Sequence, residues 1–500
     1  MSIFVFFLRT RIHQNPGSIV LAILVAGLLQ QAIGLLQMIG VLNNGHPYFR
    51  ITGTFGNPGV FAGYLVSLLP LACYVVKRHI FEWGLPFPNF ARYGCYMYLI
   101  LCFFLLPLLD SRASWISGCL AIFIVYRSEI WRVLTTFLNK RWKKSIFSIL
   151  TAILFLVAIY IIHLHKEDSS LGRVLVWKIT IGIFSKNPIF GIGFSNILNH
   201  YNDYQQNYFA TQTSATALEK LNADNVYVSF NEIIEFLTEE GLAGMLLLAA
   251  FVFAVFNSAK HFSTLRSMFV ACLAVILLFA CFSYPFHDPA ILINICIFCA
   301  LIVGRPVVFY CKSISFAWIT AVRVTIFAGM LTCLIALFYV LPDVIRLRQI
   351  AKTVNVTDPD FSRSNLNRIS LLLSHDPEYQ TSKAIILYRK GLFGESLDLL
   401  NAVCKSSSNS DLYLLKGQNL EALKQYHLAE AAYYYALNIV PNRLLPRYML
   451  FKLYLKQGDF NSAAFVSSQA VRLKEKVPST TTNAIKYEMS SFLNKLKKSR

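Results

Sequence analysis

Three arginines and three glutamates fall where a charge is expensive. Arg50 lies in Phe49-Arg50-Ile51-Thr52-Gly53-Thr54-Phe55-Gly56-Asn57-Pro58, Arg112 in Asp110-Ser111-Arg112-Ala113-Ser114-Trp115, and Arg173 in Gly172-Arg173-Val174-Leu175-Val176-Trp177. Each adjoins strongly apolar sequence, and ionisable groups at a bilayer edge are functional candidates by default. Arg50 reads equally well as a snorkelling anchor at a turn. Arg112 reads either as an ion pair with Asp110, of small value if exposed, or as a guanidinium fixed at the membrane face by a tight hairpin. Glu232, Glu235 and Glu239 recur at helical spacing and share one face. Carboxylates in the first turns of a helix also suit its dipole, which explains one or two of the three. Asn187-Pro188-Ile189-Phe190-Gly191-Ile192-Gly193 reads as a chain reversal. Its Gly-x-Gly lacks the strand–turn–helix context of a nucleotide fold.

The elements that must position these residues are membrane helices. Hydrophobic residues make up 56% and charged residues 14% of the chain, and mean hydropathy is +0.52. A water-soluble domain carries about a quarter charged residues. A cytosolic enzyme, a disordered chain and a secreted disulfide scaffold are thereby excluded. A span needs about 20 mostly apolar residues, and about nine such runs are present, at 18–42, 56–76, 94–110, 112–126, 145–164, 233–257, 265–285, 288–304 and 317–341. The expected fold is therefore all-α and polytopic, with spans three and four joined by a tight hairpin at 110–112. Residues 171–185 suit an amphipathic helix lying on the membrane. No cleavable signal peptide is recognisable.

Positive charge sets the orientation. Arg127, Arg132, Lys140, Arg141, Lys143 and Lys144 mark loop 127–144 as cytoplasmic; Lys77, Arg78 and Arg92, Lys260 with Arg266, and Arg305 with Lys312 mark other inside loops. Segments 43–55, 165–232 and 286–287, and everything after residue 341, are then outside. The net charge of +20 fits basic inside loops, and with no recognition motif no nucleic-acid partner is expected. Most cysteines sit inside apolar runs and act as small hydrophobes.

After Pro342 the composition becomes that of a soluble domain, so the division is a membrane domain over 1–341, with a large outer loop at 165–232, and a tail over 342–500. Residues 376–475 repeat with a period near 34. Gly417, Ala429, Tyr433, Ala436 and Pro441 occupy the small, small, aromatic, small and proline positions of a tetratricopeptide repeat, and neighbouring units match more weakly. Small residues let the two helices of a unit approach, and proline ends the second. An unrelated helical hairpin domain is the alternative.

Together these segments resemble the O-antigen ligase and polymerase family of bacterial inner-membrane glycosyltransferases. The likeness rests on Gly53 to Pro58 with Ala62-Gly63-Tyr64-Leu65, on Ser111 to Trp115, on Arg173 to Trp177, on Asn187 to Gly193, and on Asn231-Glu232 running to Glu239 and Gly241, the motif-bearing region being 50–244. Some members also carry periplasmic tetratricopeptide repeats. The resemblance implies transfer of a glycan from undecaprenyl diphosphate to an acceptor hydroxyl on lipid A-core, a growing glycan or a protein. Transfer would take place at the periplasmic face of the inner membrane, without cofactor or metal. Arg112 and Arg173 match the family's arginine motifs and would hold the diphosphate, a task suited to permanently charged, bidentate donors. Glu232 and Glu239 join them as catalytic candidates, with Arg50, Asn231 and Trp177 as substrate-binding candidates. Where the family has a histidine before the asparagine of the last motif, this chain has Phe230. Glu232, Glu239 or His200 would have to replace that histidine. The family commonly has about four more spans at its start, so a truncated or reduced variant is expected.

A polysaccharide polymerase or a protein O-oligosaccharyltransferase of the same family would differ in its acceptor. A membrane-anchored repeat scaffold, binding a protein partner through the tail, would be non-catalytic. A transporter would need ionisable groups deep within several spans, and few are found.

Overall fold

The computed structural model describes residues 16–44, 46, 48–77, 88–137, 167–211, 215–258, 264–303, 339–340, 342–355, 357–369, 373–476 and 478–498. The regular structure among the described residues is helical, and the chain forms two compact units: 1–167 with 188–191 and 228–312, and 168–187 with 192–227 and 313–500.

In the first unit, α1 (Pro16–Met38), α2 (Pro58–Lys77), α3 (Pro88–Leu108) and α4 (Arg112–Phe137) precede the large loop. Asn57 and Pro58 start α2 as a side-chain cap and a first-turn proline, Gly59 N donating to Asn57 Oδ1 at 2.7 Å. α2 is the central helix, mostly buried and packed on α1, α3, α4 and α9 (Thr264–Ala280). A Cβ on Gly63 would lie 2.4 Å from the Phe279 ring, so glycine is what lets α2 and α9 close. Two buried side-chain donors find backbone acceptors inside the helix packing: Tyr98 Oη donates to Leu65 O at 2.7 Å and Gln31 Nε2 to Tyr98 O at 3.0 Å.

Among the described residues five helices are long and apolar enough to cross a membrane: Gly17–Met38, Pro58–Lys77, Asn89–Leu108, Arg112–Val133 and Glu232–Asn257. The expected run at 145–164, and that at 317–341 apart from 339–340, lie outside the described residues. The runs at 265–285 and 288–304 form shorter apolar helices instead, α9 and α10 (Pro289–Val303). Pro285 and Pro289 are the reason: neither can donate a helical backbone bond, so a turn separates the two. α4 differs in the other direction. It runs to Phe137 through the charged stretch assigned to a loop, and Lys77 Nζ pairs with Glu129 at 2.7 Å and donates to Val125 O at 2.6 Å.

The second unit joins α5 (Glu167–Phe184), α6 (Ile197–Thr211) and α7 (Ala217–Asn222) of the loop to the tail helices. The tail is built of helical hairpins: α12 (Pro377–Arg389) with α13 (Phe393–Ser406), α14 (Ser410–Ala422) with α15 (Tyr426–Ile439), and α16 (Leu444–Gln457) with α17 (Phe460–Arg472). α11 (Pro359–Asn367) precedes them and α18 (Thr480–Lys498) follows. α14 and α16 begin at Ser410 and Leu444, 34 residues apart, which is the period read from sequence. Gly417 sits under Tyr433, 2.3 Å from the ring to a notional Cβ, and Ala429, Ala436, Ala463 and Ala470 are fully buried between helices.

Candidate functional site

Gln37 holds the loop that bears Arg50. Its Oε1 accepts from Thr52 N and Gly53 N, both at 2.9 Å, while its Nε2 donates to Gly53 O at 2.8 Å. Arg50 itself is exposed. Arg112 is the first residue of α4 and half-buried. The hairpin before it is tied by Trp115 Nε1 donating to Leu106 O at 3.1 Å, and Asp110 turns the chain with φ +48°. A helix start favours anions, so this guanidinium stands where a phosphate would also meet a positive helix end.

The kinked helix α8 (Glu232–Ser258) carries the carboxylates. Asn231 caps it, Oδ1 accepting from Ile233 N and Ile234 N at 3.0 and 3.1 Å. Gly241 breaks the helix with φ 67° and ψ −170°. The Asn-Pro-Ile-Phe-Gly segment packs at that break: Leu242 N donates to Pro188 O at 2.9 Å and Ala243 N to Ile189 O at 3.1 Å. A Cβ on Gly191 would meet Glu239 O at 2.2 Å, and one on Gly241 would meet Ile189 O at 2.2 Å. Two glycines in left-handed backbone thus allow main chain to touch main chain.

Glu232, Glu235 and Glu239 are all buried. Glu232 accepts from Phe286 N at 2.6 Å. Three donors converge on Glu235: Ser229 N at 2.7 Å, Ser229 Oγ at 2.6 Å and His287 Nε2 at 2.7 Å. His287 ends a short 3-10 turn, Pro285–His287, between α9 and α10, and its side chain is 43% exposed. The hydrogen bond to Glu235 raises its pKa above the ordinary 6.5, against an opposing pull from partial burial. Burial raises the pKa of its neighbour Asp288. The Tyr284 ring stands edge-on to Phe230 at 5.5 Å and to His287 at 6.2 Å. Phe230 has φ +55°, an uncommon state for a bulky residue and one that clusters at functional sites.

The structure thus gathers Asn231, Glu232 and Glu235 with His287. Arg50, Arg112 and Glu239 belong to the same unit. Arg173 and Trp177, both half-buried, stand on α5 in the other unit, as does the exposed His200 on α6. α5 is fixed there by Lys178 Nζ, which bonds Tyr208 Oη and Glu219 Oε1, each at 2.7 Å. Sequence reading passed over His287 and gave Glu235 no role. The available signal was position: His287 falls in the two-residue outer segment between two apolar runs. Among the described residues no group of three or more His, Cys, Asp or Glu side chains is placed to hold a metal.

The family model described as O-Antigen ligase (Wzy_C) matches residues 97–249. Over that stretch the chain is similar to the O-antigen ligase family. No curated protein and no solved structure matches the chain. The ligase-family stretch contains Arg112, Arg173, Trp177, Phe230 and the whole run from Asn231 to Glu239. Arg50 and His287 fall outside it.

Proposed function

We propose that this protein transfers a glycan from undecaprenyl diphosphate to an acceptor hydroxyl at the periplasmic face of the bacterial inner membrane. The observation that carries the reading is the O-antigen ligase match over 97–249, which holds Arg112, Arg173 and the Glu232–Glu239 helix in one stretch. In this reaction the acceptor oxygen forms a bond to the anomeric carbon, and the bond from that carbon to the diphosphate oxygen breaks. Undecaprenyl diphosphate leaves with the electron pair. The protein must therefore favour negative charge growing on the leaving diphosphate. Arg112, at the positive end of α4, and Arg173, on the braced helix α5, are the guanidinium groups for that task. Arg50 and Trp177 act as substrate contacts. The tail, with its hairpins at tetratricopeptide spacing, recognises an acceptor or a protein partner from the periplasmic side.

The test is reconstitution of the full chain in vesicles with undecaprenyl-diphosphate-linked glycan and, separately, lipid A-core, free glycan or protein as acceptor. Transfer to lipid A-core is the expected outcome. Transfer to glycan alone would make it a polymerase, and to protein alone an oligosaccharyltransferase. Failure with all three, while the chain is inserted and folded, would leave the scaffold reading.

A further inference from the structure

A hydroxyl attacking an anomeric carbon must lose its proton, and a side chain in reach is needed to take it. Glu232 and Glu235 are each committed to protein donors, at 2.6 Å for Glu232 and at 2.6 to 2.7 Å for Glu235. Phe230 has no titratable group. His287 differs from all of these. A carboxylate can only accept, so the contact to Glu235 fixes the donor proton on His287 Nε2. The lone pair of the neutral ring is then on Nδ1. No described residue hydrogen-bonds Nδ1, and the side chain is 43% exposed. Glu235 is in turn held by both donors of Ser229, so the chain Ser229–Glu235–His287 orients the ring.

We infer that His287 is the general base of the transfer, with Glu235 as its positioning residue. The inference rests on the glycan-transfer reading above. Nδ1 takes the proton of the acceptor hydroxyl as its oxygen bonds to the anomeric carbon, and undecaprenyl diphosphate departs. The imidazolium so formed is stabilised by the Glu235 carboxylate, and the proton passes to solvent before the next turnover. Among the described residues, the charged groups facing the ring are Glu235, Glu232 and Glu239, all on α8, with Asp288 next to it in the chain. Their negative charge favours the imidazolium product.

The experiment measures transfer by the full chain in vesicles across pH, with undecaprenyl-diphosphate-linked glycan as donor and lipid A-core, free glycan and protein offered as acceptors. His287→Gln is expected to lower kcat by about 10²- to 10⁴-fold with little change in KM for the donor. Glu235→Gln is expected to move the acidic limb of the kcat/KM profile to lower pH, because the imidazole loses the partner that holds its proton. A purely structural tie would lower the folded amount of both variants and leave the limb in place. Parental kcat in His287→Gln, or an unmoved limb in Glu235→Gln, overturns the inference while the transfer reading stands. No transfer by the parent chain to any acceptor overturns the transfer reading, and the inference with it. If His287→Gln fails to insert, the limb measured in Glu235→Gln decides.

Discussion

His287 Nε2 lies 2.7 Å from Glu235 Oε1, joining residues 52 positions apart across the turn between α9 and α10. The contact sits beside Tyr284, whose ring also meets Phe230. An imidazole is thus present next to the position where the family resemblance called for one, but it arrives from a different segment of the chain.

The contact makes stability depend on pH in a defined direction. His287 gains affinity for its proton on folding, so the folded state binds more protons near neutrality than the unfolded state does. The contribution is complete below the ordinary value of 6.5 and fades as pH rises through the higher folded value. A double-mutant cycle of His287→Gln and Glu235→Gln, followed by thermal unfolding in detergent, should give a larger coupling at about pH 5.5 than at about pH 9. Equal coupling at both would place the bond outside the titration.

Arg112→Ala and Arg173→Ala should each cost at least about tenfold in glycan transfer, since a charge-assisted contact is worth about 1.5–3 kcal/mol. Lysine should rescue only part, because it keeps the charge and loses the fork. Initial rates in vesicles, normalised to inserted protein, are the measurement. Parental rates in both alanine variants would reduce these residues to interfacial anchors.

Gly191→Ala and Gly241→Ala should destabilise the fold far more than Gly56→Ala. All three glycines have φ near +67°, so an added Cβ strains the backbone at each. Only at Gly191 and Gly241 would the new Cβ meet main chain at 2.2 Å; at Gly56 nothing lies within 4 Å. Unfolding temperature in detergent separates the two classes.

A phosphatase fused after Pro342 should be active, placing the tail in the periplasm, as the basic loops require. Activity of a cytoplasmic reporter at the same site would reverse the orientation and move Arg112 to the wrong face.

The membrane part was legible because hydropathy over some 20 residues reports burial directly. That signal blurred where polar residues extend a helix, so α4 reached Phe137 rather than residue 126. It also blurred in the runs at 265–285 and 288–304, which were separated correctly but form helices shorter than full spans. The tail's period was legible because helix pairs must repeat small residues at fixed positions to pack. The candidate site was legible in part. Motif residues such as Arg112 and Glu232 announce themselves by being polar in apolar surroundings. The partner of Glu235 does not, because its contact depends on how α8 meets the turn after α9, and no local pattern encodes that meeting. Asn231 shows the converse: a motif residue read as substrate-binding has, in the structure, a capping duty toward α8.

α6 buries two amide side chains against tail backbone. Asn202 Nδ2 donates to Ser408 O and Gln205 Nε2 to Ile439 O, each at 2.6 Å, and Tyr435 Oη reaches Asp203 at 2.6 Å. Asn202→Ala or Gln205→Ala should each cost about 1–3 kcal/mol, read as a lower unfolding midpoint of the full chain, because a buried carbonyl loses its donor. α6 and the tail hairpins are therefore one packed unit. A tail grafted from another protein would arrive without the matching face of α6, and a tail cut away would strand polar amides in the segment that also carries Arg173. Swaps of the tail must keep the matching face of α6 with it.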